Sequence, residues 1–432
     1  MIASASATDD QSGGQPTSHV TGSVAYLQWF VFALFFTFGG ITSLNDVLIP
    51  KLKGLFRLNY AEVMLVQTAF FAAYFLFSLP AAQLVQRTGY MRGAVIGLLV
   101  MALGCLLFIP ASHAGVFLPF LGALFVVAAG ITLVQVVSNP LISMLGAPKT
   151  ASSRLTFAQA FNSVGTTVFP FFGSIVILGS ISKVNDASLT GAALQAFRVQ
   201  ETNIITKAYL GLAVALVVVA AVIWFNRKRL VEERGAAPGF LSAFALLKRP
   251  RFAFGAFSIF IYVGAEVAIA SLMTNYLMQA STLALAAAQA GKLLIFYWGG
   301  AMVGRFVGAF VLRRFSPPVV LSVVACGAIL MLGASAASVG LISGVTLLGV
   351  GCFNAIMFPT IFTLASAGLG ERTAEGSGII CMAIVGGAVV PILTGWAADH
   401  SNLRMALIVP ALCYVGIALF GRFCRRQELA SA

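Results

Sequence analysis

The sequence predicts an all-α integral membrane protein whose twelve transmembrane helices form two six-helix bundles related by pseudo-twofold symmetry. Of its 432 residues, 59% are hydrophobic and 9% are charged. Soluble domains are about 25% charged, so the solvent for most of this chain is lipid. Twelve apolar runs are long enough to cross a bilayer, which takes about 20 residues each. A basic segment separates them into six and six, and the two sets share a motif.

Short polar connections separate the apolar runs. The first set of runs covers residues 25–49, 61–85, 93–112, 116–146, 156–180 and 206–225, and the second covers 252–278, 287–312, 318–337, 339–368, 375–397 and 404–423. The expected divisions are a disordered tail (1–22), an N-terminal six-helix bundle (23–226), a linker (227–250), a C-terminal six-helix bundle (251–424) and a second tail (425–432).

One motif in the fourth run recurs in the tenth. Gln135 precedes Pro140 by five residues, and Asn354 precedes Pro359 by the same five, 219 residues later. With six runs on each side of a basic linker, this recurrence indicates a duplicated six-helix unit.

The positions of the basic residues predict the orientation in the membrane. The net charge is +13, but the charges lie in loops between apolar runs and form no dense patch, so a nucleic-acid partner is not expected. Loops on the side of the two termini hold seventeen Lys and Arg residues, against eight on the opposite side. The positive-inside rule then places both termini in the cytoplasm, in a multi-pass protein of a bacterial cytoplasmic (inner) membrane.

Few ionisable residues lie well within the apolar runs, where an ionised side chain costs roughly 3 kcal/mol. Asp46, late in the first run beside Asn45, is either a carboxyl in a wet cavity that gains and loses a proton or a hydrated residue near the surface. Glu266, nearer the middle of the seventh run, either binds substrate or takes part in coupling, or makes a static contact between helices. Arg305 is interpreted as an ion-pair partner more than as a ligand.

Uncharged amides recur deep in the apolar runs. Amides donate and accept hydrogen bonds, which suits a neutral, hydroxyl-rich substrate in a concave site with apolar and aromatic walls. The alternative is that each amide joins two helices, at about 0.6–1 kcal/mol. For the set as a whole the cavity is favoured. The amides are Gln135, Asn139, Gln159, Asn162, Asn275 and Asn354, and the candidate aromatic walls are Tyr74, Tyr297, Trp298 and Phe358.

Motifs of catalysis and nucleotide binding are absent from the sequence, which contains no P-loop, no HExxH and no GxSxG. The chain is therefore not expected to be an enzyme, and no cofactor or metal is expected. Transport without an ATP site must draw on an ion gradient or on the gradient of the substrate itself.

Several stretches of the chain resemble the major facilitator superfamily, in its fucose permease and glucose/galactose porter branch. The resemblance implies the major facilitator fold, alternating access, a central sugar site and proton symport. It also implies that Asp46 is the protonation site and that Gln159 and Asn162 contact the substrate. Gln135 stands where the fucose permease has a glutamate, which disfavours fucose and leaves sodium coupling open. Matching stretches include SLNDVLIPKLK (43–53), RLTFAQAFNSVG (154–165), FYWGGAMVGRFVG (296–308) and FNAIMFPTIFTLA (353–365).

The expected protein is a monomeric secondary active transporter that imports a hexose of the glucose/galactose type, or an N-acetylhexosamine, by proton symport. Its expected partners are the sugar, H⁺ or Na⁺, and membrane lipid. The alternatives are a sodium-coupled sugar symporter, a fucose permease and a drug/proton antiporter, and a membrane sensor is disfavoured because no soluble signalling domain is present. Asp46 is the predicted proton-coupling residue, and the predicted substrate-binding residues are Asn45, Gln135, Asn139, Gln159, Asn162, Glu266, Asn275, Trp298 and Asn354.

Overall fold

The computed structural model describes residues 24–56, 58, 60–173, 191–227 and 240–431. The side chains of some residues in described helices, Asn45 and Asp46 among them, lie outside the described set. The predicted tail at 1–22 and residues 228–239 of the predicted linker also lie outside it. The domain bounds therefore stay a prediction.

Twelve membrane-crossing helices, some of them interrupted, follow one another along the described residues. The first six are α1 (Val24–Phe56), α2 (Tyr60–Thr88), α3 (Tyr90–Leu106, continued by Phe108–Ala114), α4 (Phe117–Met144), α5 (Ala151–Gly173) and α6 (Gly191–Asn226). The last six are α7 (Pro250–Met278), α8 (Ala287–Arg314), α9 (Pro317–Ala337), α10 (Gly340–Asn354 and Met357–Ser366), α11 (Thr373–Met382 and Gly386–His400) and α12 (Leu403–Ala406 and Ile408–Ser431).

The helix α5 differs from the others in its polarity. Eleven of the described helices are long and apolar enough to cross a membrane on length and composition alone, and α5 is not among them. Its sequence places Gln159, Asn162, Ser163 and Thr167 along the middle of the helix. Polar groups are costly in hydrocarbon, so protein must cover this helix. It packs on α1 of its own half and on α8 and α10 of the other half.

The outer surface of the molecule is apolar. Phe225 is 82% exposed, Leu118 74% and Ile392 71%. Large apolar side chains exposed over a whole surface indicate contact with lipid rather than water.

Small residues set the distances between helices inside each half. A Cβ atom on Gly351 of α10 would collide with the backbone carbonyl of Tyr297 in α8. A Cβ atom on Gly39 of α1 would collide with the side chain of Asn162 in α5. Such close approach is the usual role of glycine between membrane helices.

The two halves are joined near the helix ends on the side where α1 begins and α12 ends, called here the terminus side. The hydroxyl groups of Ser152 in α5 and Thr363 in α10 lie 2.6 Å apart. The Nε2 of Gln86, at the end of α2, donates to Oε1 of Glu375, at the start of α11, over 2.8 Å. Ser153 donates to the carbonyl oxygen of Ala309 in α8 over 2.6 Å. The terminus side is therefore closed in this conformation.

Candidate functional site

Asn354 is the centre of a buried polar network at the end of the first segment of α10. Its Nδ2 donates to the hydroxyl of Tyr297 in α8 over 2.8 Å, and its Oδ1 accepts from the hydroxyl of Tyr414 in α12 over 2.7 Å. Its backbone carbonyl accepts from the hydroxyl of Tyr262 in α7 over 3.1 Å. Asn354 has no exposed surface. Asn354, a predicted sugar-binding residue, is therefore enclosed by four helices of one half and is not exposed to a cavity.

Glu266 joins the same network from α7, one turn after Tyr262. Its Oε1 accepts from the Tyr262 hydroxyl over 2.9 Å, and its backbone carbonyl lies 3.4 Å from the Tyr297 hydroxyl. The side chain is only half-buried. A carboxyl with one oxygen fixed and the residue still partly accessible can accept hydrogen bonds from a bound hydroxylated ligand.

Arg305 in α8 connects this network to the other half. Its Nε donates to the carbonyl of Ala355 over 3.3 Å, and its Nη1 donates to the hydroxyl of Ser163 in α5. No salt bridge within 4 Å joins Arg305 to a carboxylate among the described residues, and its interpretation as an ion-pair partner stays a prediction because the side chain of Asp46 lies outside that set. The guanidinium donates to a backbone carbonyl of its own half and to a hydroxyl of the other half, which its planar set of donors allows.

In the N-terminal half, α5 places Gln159 and Asn162 near the contact between Arg305 and Ser163. Ser163 donates to the backbone carbonyl of Gln159 over 3.2 Å, and the Gln159 side chain is nearly covered. The Nδ2 of Asn162 donates to the carbonyl of Phe35 in α1 over 3.2 Å, and the residue is half-buried. Gln159 therefore lies one helical turn from the Ser163–Arg305 contact, whereas Asn162 is engaged in holding α1.

The two predicted amides of α4 lie in different surroundings. Gln135 is half-buried, and its Oε1 has no hydrogen-bond partner among the described residues. Asn139, one turn later, has no exposed surface, and neither atom of its amide has a hydrogen-bond partner in the part of the chain that the structure describes. Asn139 lies beside the thiol of Cys381 in α11, which is a weak hydrogen-bonding group. The Gln135 residue is half-buried with its amide oxygen covered, whereas the whole of Asn139 is enclosed in the contact between α4 and α11.

The remaining predicted residues are more dispersed. Asn275 is exposed near the end of α7 and makes no hydrogen bond with a described residue. Trp298 is 45% exposed and packs edge-on against Tyr297 with ring centroids 5.1 Å apart. Asn45 and Asp46 belong to α1, but their side chains lie outside the described residues. Their predicted roles stay predictions.

Several members of this site carried no signal in the sequence. In the sequence, Tyr262 and Tyr414 look like ordinary aromatic residues of apolar runs. Only the fold shows that their hydroxyls both contact Asn354. Glu375 is 3% exposed and pairs with Arg372 over 2.7 Å. Glu375 is the first residue of the eleventh apolar run and was not among the predicted site residues. Its spacing of three from Arg372, which suits an ion pair on one helical face, was the available clue.

Residues 30–384 match the Major Facilitator Superfamily. The chain belongs to this family. Its twelve helices in two six-helix bundles are the family's fold, and the predicted fold class and family resemblance are confirmed.

Several bacterial transporters of this family are similar over nearly the whole chain. A glucose/galactose transporter of Brucella abortus (strain 2308) is 45% identical over 388 residues, which cover 90% of this chain and 91% of that protein. A putative glucose/galactose transporter of Helicobacter pylori (strain J99 / ATCC 700824) is 41% identical and covers 92% and 96%. The L-fucose-proton symporter of Escherichia coli (strain K12) is 30% identical and covers 96% and 95%.

A solved major facilitator structure is also similar. The crystal structure of the transporter FucP in the outward conformation has a TM-score of 0.84 at 28% sequence identity, covering 93% of this chain and 99% of that one.

Proposed function

We propose that this chain is a secondary active transporter that imports a hexose of the glucose/galactose type by proton symport. The similarity to glucose/galactose transporters over about nine-tenths of both chains supports the substrate class. The similarity to a fucose-proton symporter supports the coupling ion. An N-acetylhexosamine is the second candidate substrate, and sodium is the second candidate ion.

The observation that carries the proposal is the polar bridge between the halves. Arg305 reaches Ser163 of α5 across the division, and its other hydrogen bond leads through α10 to the network of Asn354, Tyr262 and Glu266. A neutral sugar presents hydroxyl groups that both donate and accept. Glu266 has a second carboxylate oxygen besides the one that accepts from Tyr262, and the amide oxygen of Gln135 has no hydrogen-bond partner among the described residues. A ligand held by groups from both halves is bound at the place where alternating access acts.

The orientation follows from the charges of the loops. More Lys and Arg residues lie on the terminus side than on the opposite side. The positive-inside rule assigns the terminus side to the cytoplasm of a bacterial inner membrane. The closed terminus side then corresponds to a conformation that faces outward, and sugar enters from outside. A monomer suffices for this cycle because the site lies between the two halves of one chain.

Uptake into proteoliposomes tests the proposal. Labelled glucose, galactose, an N-acetylhexosamine and fucose are each offered with an imposed pH gradient, with a sodium gradient, or with neither. We expect accumulation of glucose or galactose driven by the pH gradient. Accumulation under a sodium gradient alone would assign the other ion. Failure of all four sugars to accumulate or exchange would contradict the proposed substrate class.

A further inference from the structure

Two prolines remove backbone hydrogen bonds at equivalent places in the two halves. Proline has no N–H, so in a helix the carbonyl four residues before it loses its donor. Pro140 in α4 frees the carbonyl of Val136, and Pro359 in α10 frees that of Ala355. These two carbonyls are 219 residues apart, the same spacing as the repeated motif. In a membrane such a carbonyl needs another donor.

Both freed carbonyls receive a side chain. Arg305 donates to the Ala355 carbonyl from within the same half. The Val136 carbonyl instead accepts from the hydroxyl of Ser377 in α11, over 2.9 Å and across the two halves. Ser377 has no exposed surface. Serines in helices often donate to a carbonyl of their own helix, as Ser258 does to Phe254 over 2.7 Å. Ser377 donates to the opposite half.

The position of this bond makes it sensitive to the conformational change. Val136 lies about 12 Å from the terminus-side end of α4, and Ser377 about 6 Å from the start of α11, at about 1.5 Å per residue. Both are therefore on the closed side, in the same contact region as Gln86–Glu375. If the halves separate on this side, the bond between α4 and α11 must break.

We infer that Ser377 is a positioning residue that latches the closed terminus side by donating to the carbonyl that Pro140 leaves free in α4. The helix cannot satisfy this carbonyl itself, so separation of the halves exposes an unmet acceptor as well as breaking a bond. The latch therefore favours the conformation described here over the one that opens on the terminus side. The inference rests on the proposed alternating-access cycle, but on no particular sugar or ion.

Alkylation of a reporter cysteine measures the population that is open on the terminus side. Ser152 is 5% exposed and lies in the contact between the halves, so Ser152→Cys should react with a polar maleimide only when this side opens. Peptide mass spectrometry gives the reaction rate at residue 152 without sugar. The native Cys105, buried in the N-terminal half with no exposed surface, reports unfolding in the same sample.

In the reporter background, Ser377→Ala should raise the alkylation rate at residue 152 roughly five-fold, as expected for loss of one hydrogen bond. The rate at Cys105 should not change. The matched control is Ser258→Ala, which removes a fully buried serine hydroxyl that bonds within its own helix. Ser258→Ala should leave the alkylation rate at residue 152 as low as in the parent.

Pro140→Ala tests the reason for the latch. Alanine supplies the missing N–H, so the Val136 carbonyl regains a partner inside α4. Ser377→Ala should then raise alkylation less than two-fold when added to Pro140→Ala. Three results would overturn the inference. The first is that Ser377→Ala leaves the alkylation rate at residue 152 unchanged, and the second is that the alkylation rate at Cys105 rises in parallel. The third is that Ser377→Ala raises the rate at residue 152 by the same factor whether residue 140 is Pro or Ala. Because the assay uses no sugar, these results are distinct from failure of the proposed transport activity.

Discussion

The hydroxyl of Tyr262 lies 2.9 Å from Oε1 of Glu266 and 3.1 Å from the carbonyl oxygen of Asn354. The hydroxyl carries a single proton, so the Glu266 carboxyl in α7 and the end of the first segment of α10 share one donor. A substitution of Glu266 should therefore alter the hydrogen bond that Tyr262 makes to α10, and a shift of α10 should alter the hydrogen bond to Glu266.

Replacement of Glu266 tests its place in the site. If its carboxyl accepts hydrogen bonds from a sugar, Glu266→Ala should weaken sugar binding about ten-fold or more, since hydrogen bonds to charged groups contribute about 1.5–3 kcal/mol. Glu266→Gln keeps one acceptor oxygen and should retain part of the affinity. Binding is measured by isothermal titration with the purified protein. Parental affinity in both variants would exclude Glu266 from the sugar site.

Gln135 and Asn354 occupy equivalent positions of the repeat, yet the structure predicts different effects. Gln135→Ala should weaken sugar binding by about 1–2 kcal/mol, roughly ten-fold, and leave the folded yield intact. The oxygen of its amide has no hydrogen-bond partner among the residues that the structure describes, so the substitution removes no observed bond of that oxygen. Reduced yield with normal affinity would instead assign Gln135 to helix packing.

Asn354→Ala should act on stability first. It removes the partners of the Tyr297 and Tyr414 side-chain hydrogen bonds in a region with no exposed surface. Each buried polar group left without a partner costs about 1–3 kcal/mol. The melting temperature in detergent should fall clearly, and Gln135→Ala is the matched control. A variant as stable as the parent but unable to bind sugar would show that Asn354 acts as a ligand.

Replacing Asn139 should raise the melting temperature, in contrast to replacing Asn354. The Asn139 amide is fully buried beside the Cys381 thiol and has no hydrogen-bond partner within the described ranges, so we expect it to destabilise the contact between α4 and α11 in this conformation. Asn139→Leu has a similar volume and no polar group, and it should raise the melting temperature. A fall in melting temperature would show that the amide has a partner in the dominant conformation. Loss of sugar binding in a stabilised variant would support its predicted role as a ligand.

The sequence predicted the fold from strong signals and the site from weaker ones. Apolar runs, loop charges and the Gln135–Pro140 and Asn354–Pro359 recurrence sufficed for twelve helices in two bundles, because bilayer thickness dictates helix length. Burial could not be predicted in the same way. Gln135 and Asn354 look alike in sequence, and only the packing of tyrosines from α7, α8 and α12 separates their surroundings.

Small polar residues were the harder class to interpret. A serine in an apolar run costs little and can bond to its own helix, so Ser377 carried no signal that it reaches another half of the molecule. Pro140 was visible in the sequence, but the partner of the carbonyl that it frees depends on which helix packs there. The contact between α4 and α11 is a long-range feature of the fold, which a local pattern does not encode.

Asp46 is the residue on which the proposed coupling depends. Asp46→Asn mimics a permanently protonated carboxyl. It should still bind sugar and exchange labelled for unlabelled sugar, because exchange requires only that the loaded carrier switch sides. It should fail to accumulate sugar against a gradient, because return of the empty carrier no longer depends on release of a proton. One proton moving down about 100 mV supplies about 2.3 kcal/mol, enough for roughly fifty-fold accumulation, so the loss is easily measured.

The decisive comparison is counterflow against pH-driven uptake in the same proteoliposomes. Retained counterflow excludes misfolding of the Asp46→Asn variant, and lost accumulation assigns the coupling step to this carboxyl. Glu266→Gln is the matched control, because it neutralises the other candidate carboxyl of the apolar runs and should still accumulate the sugar that it binds. If Asp46→Asn accumulates sugar as the parent does while Glu266→Gln does not, the coupling ion binds at Glu266, beside Tyr262 and within reach of the bridge between the halves.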